Sequence, residues 1–246
     1  MVYLPQHGRP RRNHRPAFVK WPYRRKVAIL NSKTLERHTI AGSVGALEIA
    51  LNAPKMVRGI ALIAHPLPQE GGTLDNKVVY TLAKSFFALG FAAMRFNFRG
   101  VGRSEGIWDH GEGETDDALR ALEYAQARLP QAAQMPLALA GFSFGTYVQT
   151  RVAQHVTPTM TVLIAPAAKR FALPNAPANT LVVHGENDDV IPLADALDWV
   201  RPQHLPLTVL PGCGHFFHGR LTQLQTIVSD YIATRILDST HSIIDT

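Results

Sequence analysis

Cysteine is nearly absent from this chain, since Cys213 is the only one in 246 residues. A single cysteine cannot form an intramolecular disulfide and cannot build a cysteine-based zinc site. The composition is compatible with a reducing compartment, so we expect a cytoplasmic protein.

Long apolar runs are also lacking. No stretch reaches the roughly 18 apolar residues that a membrane-spanning helix needs, and the N-terminus has no apolar segment typical of a secretory signal. The sequence therefore predicts neither a membrane span nor a secretory signal.

Acidic residues are scarce at the N-terminal end. Residues 1–37 hold ten of the 25 Lys and Arg residues but one acid, Glu36, and the rest of the chain has 15 basic and 18 acidic residues. The net charge of +6 thus comes from this end, and the remainder is slightly acidic. We predict a basic, flexible tail over residues 1–36 and one domain over 37–240, with no nucleic-acid partner for the domain.

The pattern along the domain indicates an α/β fold. An alternation of apolar and polar residues over 39–53 predicts an antiparallel strand pair, and from residue 59 short apolar runs alternate with stretches of helical period. Near-continuous apolar strands between amphipathic helices are typical of a mostly parallel sheet covered on both faces. We predict a central sheet of about eight strands flanked by helices.

A serine lies at the junction of a strand and a helix. The run Gly141-Phe142-Ser143-Phe144-Gly145 follows an apolar strand and opens a helical stretch. This is the context of a nucleophile elbow, in which a tight turn projects the serine hydroxyl from the sheet and the flanking glycines avoid backbone collisions. Ser143 is therefore the candidate nucleophile.

A serine hydroxyl needs a base, and the base needs an acid to fix its tautomer. His215 follows a late apolar strand on a glycine-rich loop, which selects it among eleven histidines. Asp188 and Asp189 both follow the preceding strand and are both candidates for the acid.

The oxyanion of an acyl-transfer reaction needs two backbone donors. One is the residue after the nucleophile, Phe144. The other is expected in the loop that starts at His65, where Pro66 and Pro68 carry no amide hydrogen and Leu67 is the remaining donor before Gln69.

Together these motifs resemble the α/β-hydrolase superfamily. Its members typically carry an H-G-x-x-D-x-x-V/I-P run, which 184–192 matches with Asp188 as the acid, and the chain order Ser143, Asp188, His215 is the one that this superfamily uses. The segments HPLPQEGGTLDNKVV and RFNFRGVGRSEG are similar to small bacterial dienelactone-hydrolase-like proteins without a lid. The resemblance covers roughly residues 37–236.

This resemblance implies an α/β-hydrolase fold and a serine hydrolase of carboxylesterase type that acts on a small ester or thioester. The short segment between the strands at 161–166 and 180–185 leaves no room for a helical cap, so an open site is expected. The chemistry needs no cofactor and no metal. Thioesterase, peptidase and acyltransferase activity remain open, as does a non-catalytic binding protein on the same fold.

Three other patterns need an interpretation. The glycines at 100, 102 and 106 resemble a dinucleotide-binding turn, but no helix is predicted to begin on them. Residues 109–114 hold a histidine and three acids whose spacing matches no metal-binding motif. Trp108 and Phe217 are candidates to line the pocket, although Phe217 could equally pack beneath the loop of His215.

Overall fold

The computed structural model describes residue 30, residues 34–129, residue 131 and residues 134–241. The predicted tail over 1–36 lies outside the described residues, apart from residue 30 and residues 34–36. The first strand begins at Leu35, two residues before the predicted start of the domain.

Within the described residues, eight strands form one sheet in the order β1-β2-β4-β3-β5-β6-β7-β8. β1 pairs with β2, and β2 with β4, in antiparallel fashion, while all other neighbours are parallel. The mostly parallel sheet is therefore confirmed. The strands are β1 (Leu35–Ala41), β2 (Ala46–Asn52), β3 (Gly59–Ala64), β4 (Phe91–Phe96), β5 (Leu137–Phe142), β6 (Met160–Ile164), β7 (Thr180–Gly185) and β8 (Leu207–Leu210).

Five α-helices cover the two faces of this sheet in the described part of the chain. They are α1 (Lys77–Ala88), α2 (Glu112–Arg128), α3 (Phe144–Val152), α4 (Leu193–Val200) and α5 (Leu221–His241). None of them is long and apolar enough to cross a membrane.

The two faces have separate hydrophobic cores because successive side chains of a strand point to opposite sides. Ala61 and Ile63 of β3 pack with α1 and α5. Their neighbours Ile60 and Leu62 pack with α2 and α3. This burial on both faces explains why the strands read as continuous apolar runs.

The parallel strands place their carboxyl ends at one edge of the sheet. The candidate residues follow β3, β5, β7 and β8 at that edge, which is where α/β proteins bind ligands. No helix lies between Ile164 at the end of β6 and Thr180 at the start of β7. The absence of a helical cap is therefore confirmed.

Candidate active site

The turn at Ser143 has the strained geometry of an elbow. Ser143 has φ 52° and ψ −120°, in a region that residues other than glycine rarely adopt. A Cβ on Gly141 would lie 2.4 Å from the carbonyl oxygen of Gly145, and a Cβ on Gly145 would lie 2.4 Å from that of Ala64. Both positions therefore require glycine, and the elbow packs directly against the end of β3.

Two neighbouring segments hold this turn in place. The Ser143 amide donates to the Ile164 carbonyl at 2.9 Å. The Thr146 hydroxyl donates to the Ser143 carbonyl at 2.6 Å and accepts the Ala167 amide at 3.1 Å. These contacts fix the serine relative to the loop after β6.

Ser143, His215 and Asp188 form a continuous chain of hydrogen bonds. His215 Nε2 lies 3.1 Å from Ser143 Oγ, and His215 Nδ1 lies 2.7 Å from Asp188 Oδ2. The three residues are only 5 %, 3 % and 7 % exposed, respectively. The structure thus brings together three residues that lie far apart in the sequence.

The environment of Asp188 favours its ionised form. Its Oδ1 accepts the amides of Val190 at 3.0 Å and Ile191 at 2.8 Å. Burial opposes ionisation, but the hydrogen bonds from His215 and from the Ile191 amide outweigh it and lower the pKa of Asp188. An ionised carboxylate only accepts, so His215 carries its proton on Nδ1 and presents the Nε2 lone pair to Ser143. The fallback acid, Asp189, is exposed.

The two amides predicted as oxyanion donors, those of Leu67 and Phe144, share an environment. Both side chains belong to the same hydrophobic cluster, and neither amide donates a hydrogen bond to any described residue. The Leu67 carbonyl instead closes its own loop by accepting the amides of Glu70 and Gly72.

His65 connects this loop to the end of β4, a role that the sequence did not reveal. The Phe98 amide donates to His65 Nε2 at 3.1 Å, so the ring proton lies on Nδ1, which is 2.7 Å from the Pro66 carbonyl oxygen. Complete burial lowers the pKa of His65 to about 3. The neutral ring therefore bridges two loops at the edge of the sheet where the parallel strands have their carboxyl ends.

The structure decides between the two alternatives for Phe217. Phe217 is fully buried in the core beneath the His215 loop, so it does not line the site. Its neighbour Phe216 is 45 % exposed and stands edge-on to the His215 ring at 5.1 Å. Trp108 is partly buried against the core cluster that contains Leu67 and Phe144. Phe216 is therefore an exposed aromatic side chain beside His215.

The remaining patterns have structural explanations. Glu114 accepts the amides of Asp109 and Gly111 and so caps the start of α2. No cluster capable of holding a metal ion occurs among the described residues. The glycine turn at 100–106 precedes no helix until Glu112, as the sequence predicts.

Known proteins share both the sequence and the fold. Residues 2–175 match the family model of X-Pro dipeptidyl-peptidase (S15 family), a match that includes Ser143 but ends before Asp188 and His215. An uncharacterized protein from Rickettsia prowazekii is 32% identical over 206 residues, which cover 74% of this chain and 80% of that protein.

Two solved structures are similar over most of the chain. An α/β serine hydrolase without a lid from Xanthomonas campestris is 36% identical, with a TM-score of 0.76, over 84% of this chain and 97% of its own. An α/β serine hydrolase homologue from Coxiella burnetii is 37% identical, with a TM-score of 0.73, over 79% and 96%. The chain therefore belongs to the X-Pro dipeptidyl-peptidase (S15) family, within the α/β serine hydrolases, and is of the type without a lid.

Proposed function

We propose that this chain hydrolyses small esters or thioesters through an acyl-enzyme on Ser143. The observation that carries the proposal is the buried chain of hydrogen bonds from Ser143 Oγ through His215 to Asp188, at 3.1 and 2.7 Å. These are hydrogen-bond distances, short enough for proton transfer, and the elbow holds the serine at the carboxyl end of β5.

In the first half of the reaction, Ser143 Oγ forms a bond to the carbonyl carbon of the substrate while His215 Nε2 takes the hydroxyl proton. The oxyanion accepts hydrogen bonds from the amides of Leu67 and Phe144, which have no partner among the described residues. The bond to the leaving group then breaks, and His215 gives its proton to the departing oxygen or sulfur.

In the second half, water loses a proton to His215 and attacks the acyl carbon. The tetrahedral intermediate collapses, the bond to Ser143 Oγ breaks, and the serine regains the proton from His215. Asp188 stays ionised throughout, because its hydrogen bonds keep its pKa low, and it stabilises the imidazolium at each step.

The surroundings of the triad favour a small substrate. No cap covers the site, so a deep tunnel for a long acyl chain is not expected. Phe216 offers an exposed apolar surface beside His215 for one side of the ester.

The test is a comparison of wild type with Ser143→Ala on p-nitrophenyl acetate, an acetyl thioester and an X-Pro p-nitroanilide. We expect wild type to hydrolyse the ester and the thioester, and Ser143→Ala to lose at least about 1,000-fold in kcat. Hydrolysis of the anilide alone would replace the ester proposal by peptidase activity. Products formed with added alcohol in place of water would indicate an acyltransferase.

Inactivity of a folded wild-type protein on all three substrates would contradict the proposal. The non-catalytic binding protein would then be the better account of the fold.

A further inference from the structure

His184 is a buried histidine that the reaction described above does not use. It is the penultimate residue of β7, its side chain is 0 % exposed, and it lies four residues before Asp188. Its Nδ1 is buried and has no hydrogen-bond partner among the described residues. A buried acceptor without a donor is destabilising. The contacts of the other ring nitrogen, Nε2, therefore have to account for a histidine at this position.

That other nitrogen faces the loop that carries the acid. His184 Nε2 lies 2.9 Å from the Ile191 carbonyl oxygen, which can only accept, so Nε2 carries the ring proton. The same Nε2 lies 3.5 Å from Asp188 Oδ2, the oxygen that accepts from His215. One N–H group thus faces both the loop and the acid.

The loop is closed on itself through Ile191. The Ile191 amide donates to Asp188 Oδ1 at 2.8 Å, and the Val190 amide donates to the same oxygen at 3.0 Å. Because His184 holds the Ile191 carbonyl, it anchors the residue whose own amide points at the carboxylate. Without the contact between His184 and the Ile191 carbonyl, only the loop backbone itself would keep the Val190 and Ile191 amides directed at Asp188.

We propose that His184 is a positioning residue for Asp188, acting through Ile191 to keep the carboxylate aligned with His215. The inference rests on the proposed function, in which Asp188 orients the base. Replacement by a side chain without a donor leaves Asp188 free to turn away from His215 for part of the time. The imidazolium of His215 is then stabilised less, and its wrong tautomer is populated more.

Several titratable groups surround His184 and influence its protonation. Asp188 follows β7, Asp195 lies on α4, and His215 lies on the loop after β8, and all three act on His184 through space. Burial is the largest influence and lowers the pKa of His184, which favours the neutral ring near pH 7. A change in the titration of His215 therefore reports the alignment of Asp188.

The experiment compares His184→Met, which has no donor, with His184→Gln, whose amide nitrogen can replace Nε2–H. The ring-proton NMR signals of His215, assigned from the spectrum of His215→Gln, give the midpoint of its titration in each protein. We expect this midpoint to fall in the Met variant and to stay unchanged in the Gln variant. This measurement does not depend on any catalytic activity.

Kinetics supply the second arm. With concentrations normalised to sites labelled by a fluorophosphonate, His184→Met should lose about tenfold in kcat with KM within about twofold, while His184→Gln stays close to wild type. The acidic limb of the kcat/KM profile should move to lower pH in the Met variant alone. If His184→Met does not fold, His184→Asn, whose amide is too short to reach Ile191, takes its place.

A midpoint that is unchanged or raised in the donor-free variant, or that falls equally in both variants, would overturn the inference. Lower thermal stability with wild-type kcat per labelled site would assign His184 a structural role only. Failure of wild type to label or to hydrolyse esters would refute the proposed function, and the NMR arm would still decide whether His184 aligns Asp188.

Discussion

His65 should make the fold sensitive to acid in a way that one substitution removes. Burial lowers the pKa of His65 from 6.5 to about 3, and the ring is neutral between the Phe98 amide and the Pro66 carbonyl. The unfolded chain binds a proton at this position below pH 6.5, whereas the folded chain does not. The stabilisation is therefore complete above pH 6.5 and is lost as the pH falls toward 3.

The magnitude follows from the difference in bound protons. The unfolded ring binds about 0.25 proton at pH 7 and nearly one at pH 5, while the folded ring binds almost none, and integration over this interval gives about 2 kcal/mol of lost stability. The result is the same for any folded pKa of His65 below about 4, because the folded ring stays neutral over this whole interval.

Urea denaturation at pH 7, 6 and 5 measures this loss for wild type and for His65→Gln. The Gln side-chain oxygen can accept the Phe98 amide but does not titrate, and other titrating groups are common to both proteins. Wild type should lose about 2 kcal/mol more than the variant between pH 7 and pH 5. Parallel losses in the two proteins would refute the assignment of a neutral, buried His65.

Three further substitutions test other parts of the account. Asp188→Asn should lower kcat by about 10⁴-fold in steady-state kinetics, because the Asn amide favours the wrong tautomer of His215. A thermal melt should show little change in the stability of this variant. Gly145→Ala should lower both the melting temperature and the rate of fluorophosphonate labelling, because its Cβ would lie 2.4 Å from the Ala64 carbonyl oxygen. Glu48→Gln should cost about 2 kcal/mol in urea denaturation at pH 7, because the buried carboxylate accepts hydrogen bonds from Asn97, Arg37 and Arg103.

The stabilising effect of Glu48 also has a defined pH range. Burial opposes ionisation, but the Arg103 amide and the side chains of Asn97, Arg37 and Arg103 lower the pKa of Glu48 from 4.5 to about 2. Its contribution is therefore present above pH 4.5 and lost as the pH falls toward 2, well below the interval used for His65.

The parts of the site that follow from local sequence could be predicted. The elbow at Ser143 depends on glycines that are two residues away on either side, and the sequence carries them. The strands could also be predicted, because burial on both faces gives β3 to β7 a continuous apolar pattern. The choice of Asp188 over Asp189 came from the resemblance, and the structure places Asp188 in contact with His215.

The parts that depend on contacts between distant segments could not be predicted. The His65 ring meets the Phe98 amide across 33 residues, and no local pattern marks this pair. Phe216 and Phe217 are adjacent and chemically identical, and a positive φ of 54° at Phe217 accompanies the burial of one ring and the exposure of the other. Such a backbone angle at a residue other than glycine has no signature in the sequence.

The most direct test of the central claim is covalent labelling with a fluorophosphonate, read by intact mass and by mapping the adduct. Wild type should gain one adduct on Ser143 rapidly, whereas Ser143→Ala should gain none and His215→Ala should label far more slowly. A folded wild-type protein that does not label, or an adduct on a residue other than Ser143, would contradict the account of Ser143 as a nucleophile activated by His215 and Asp188.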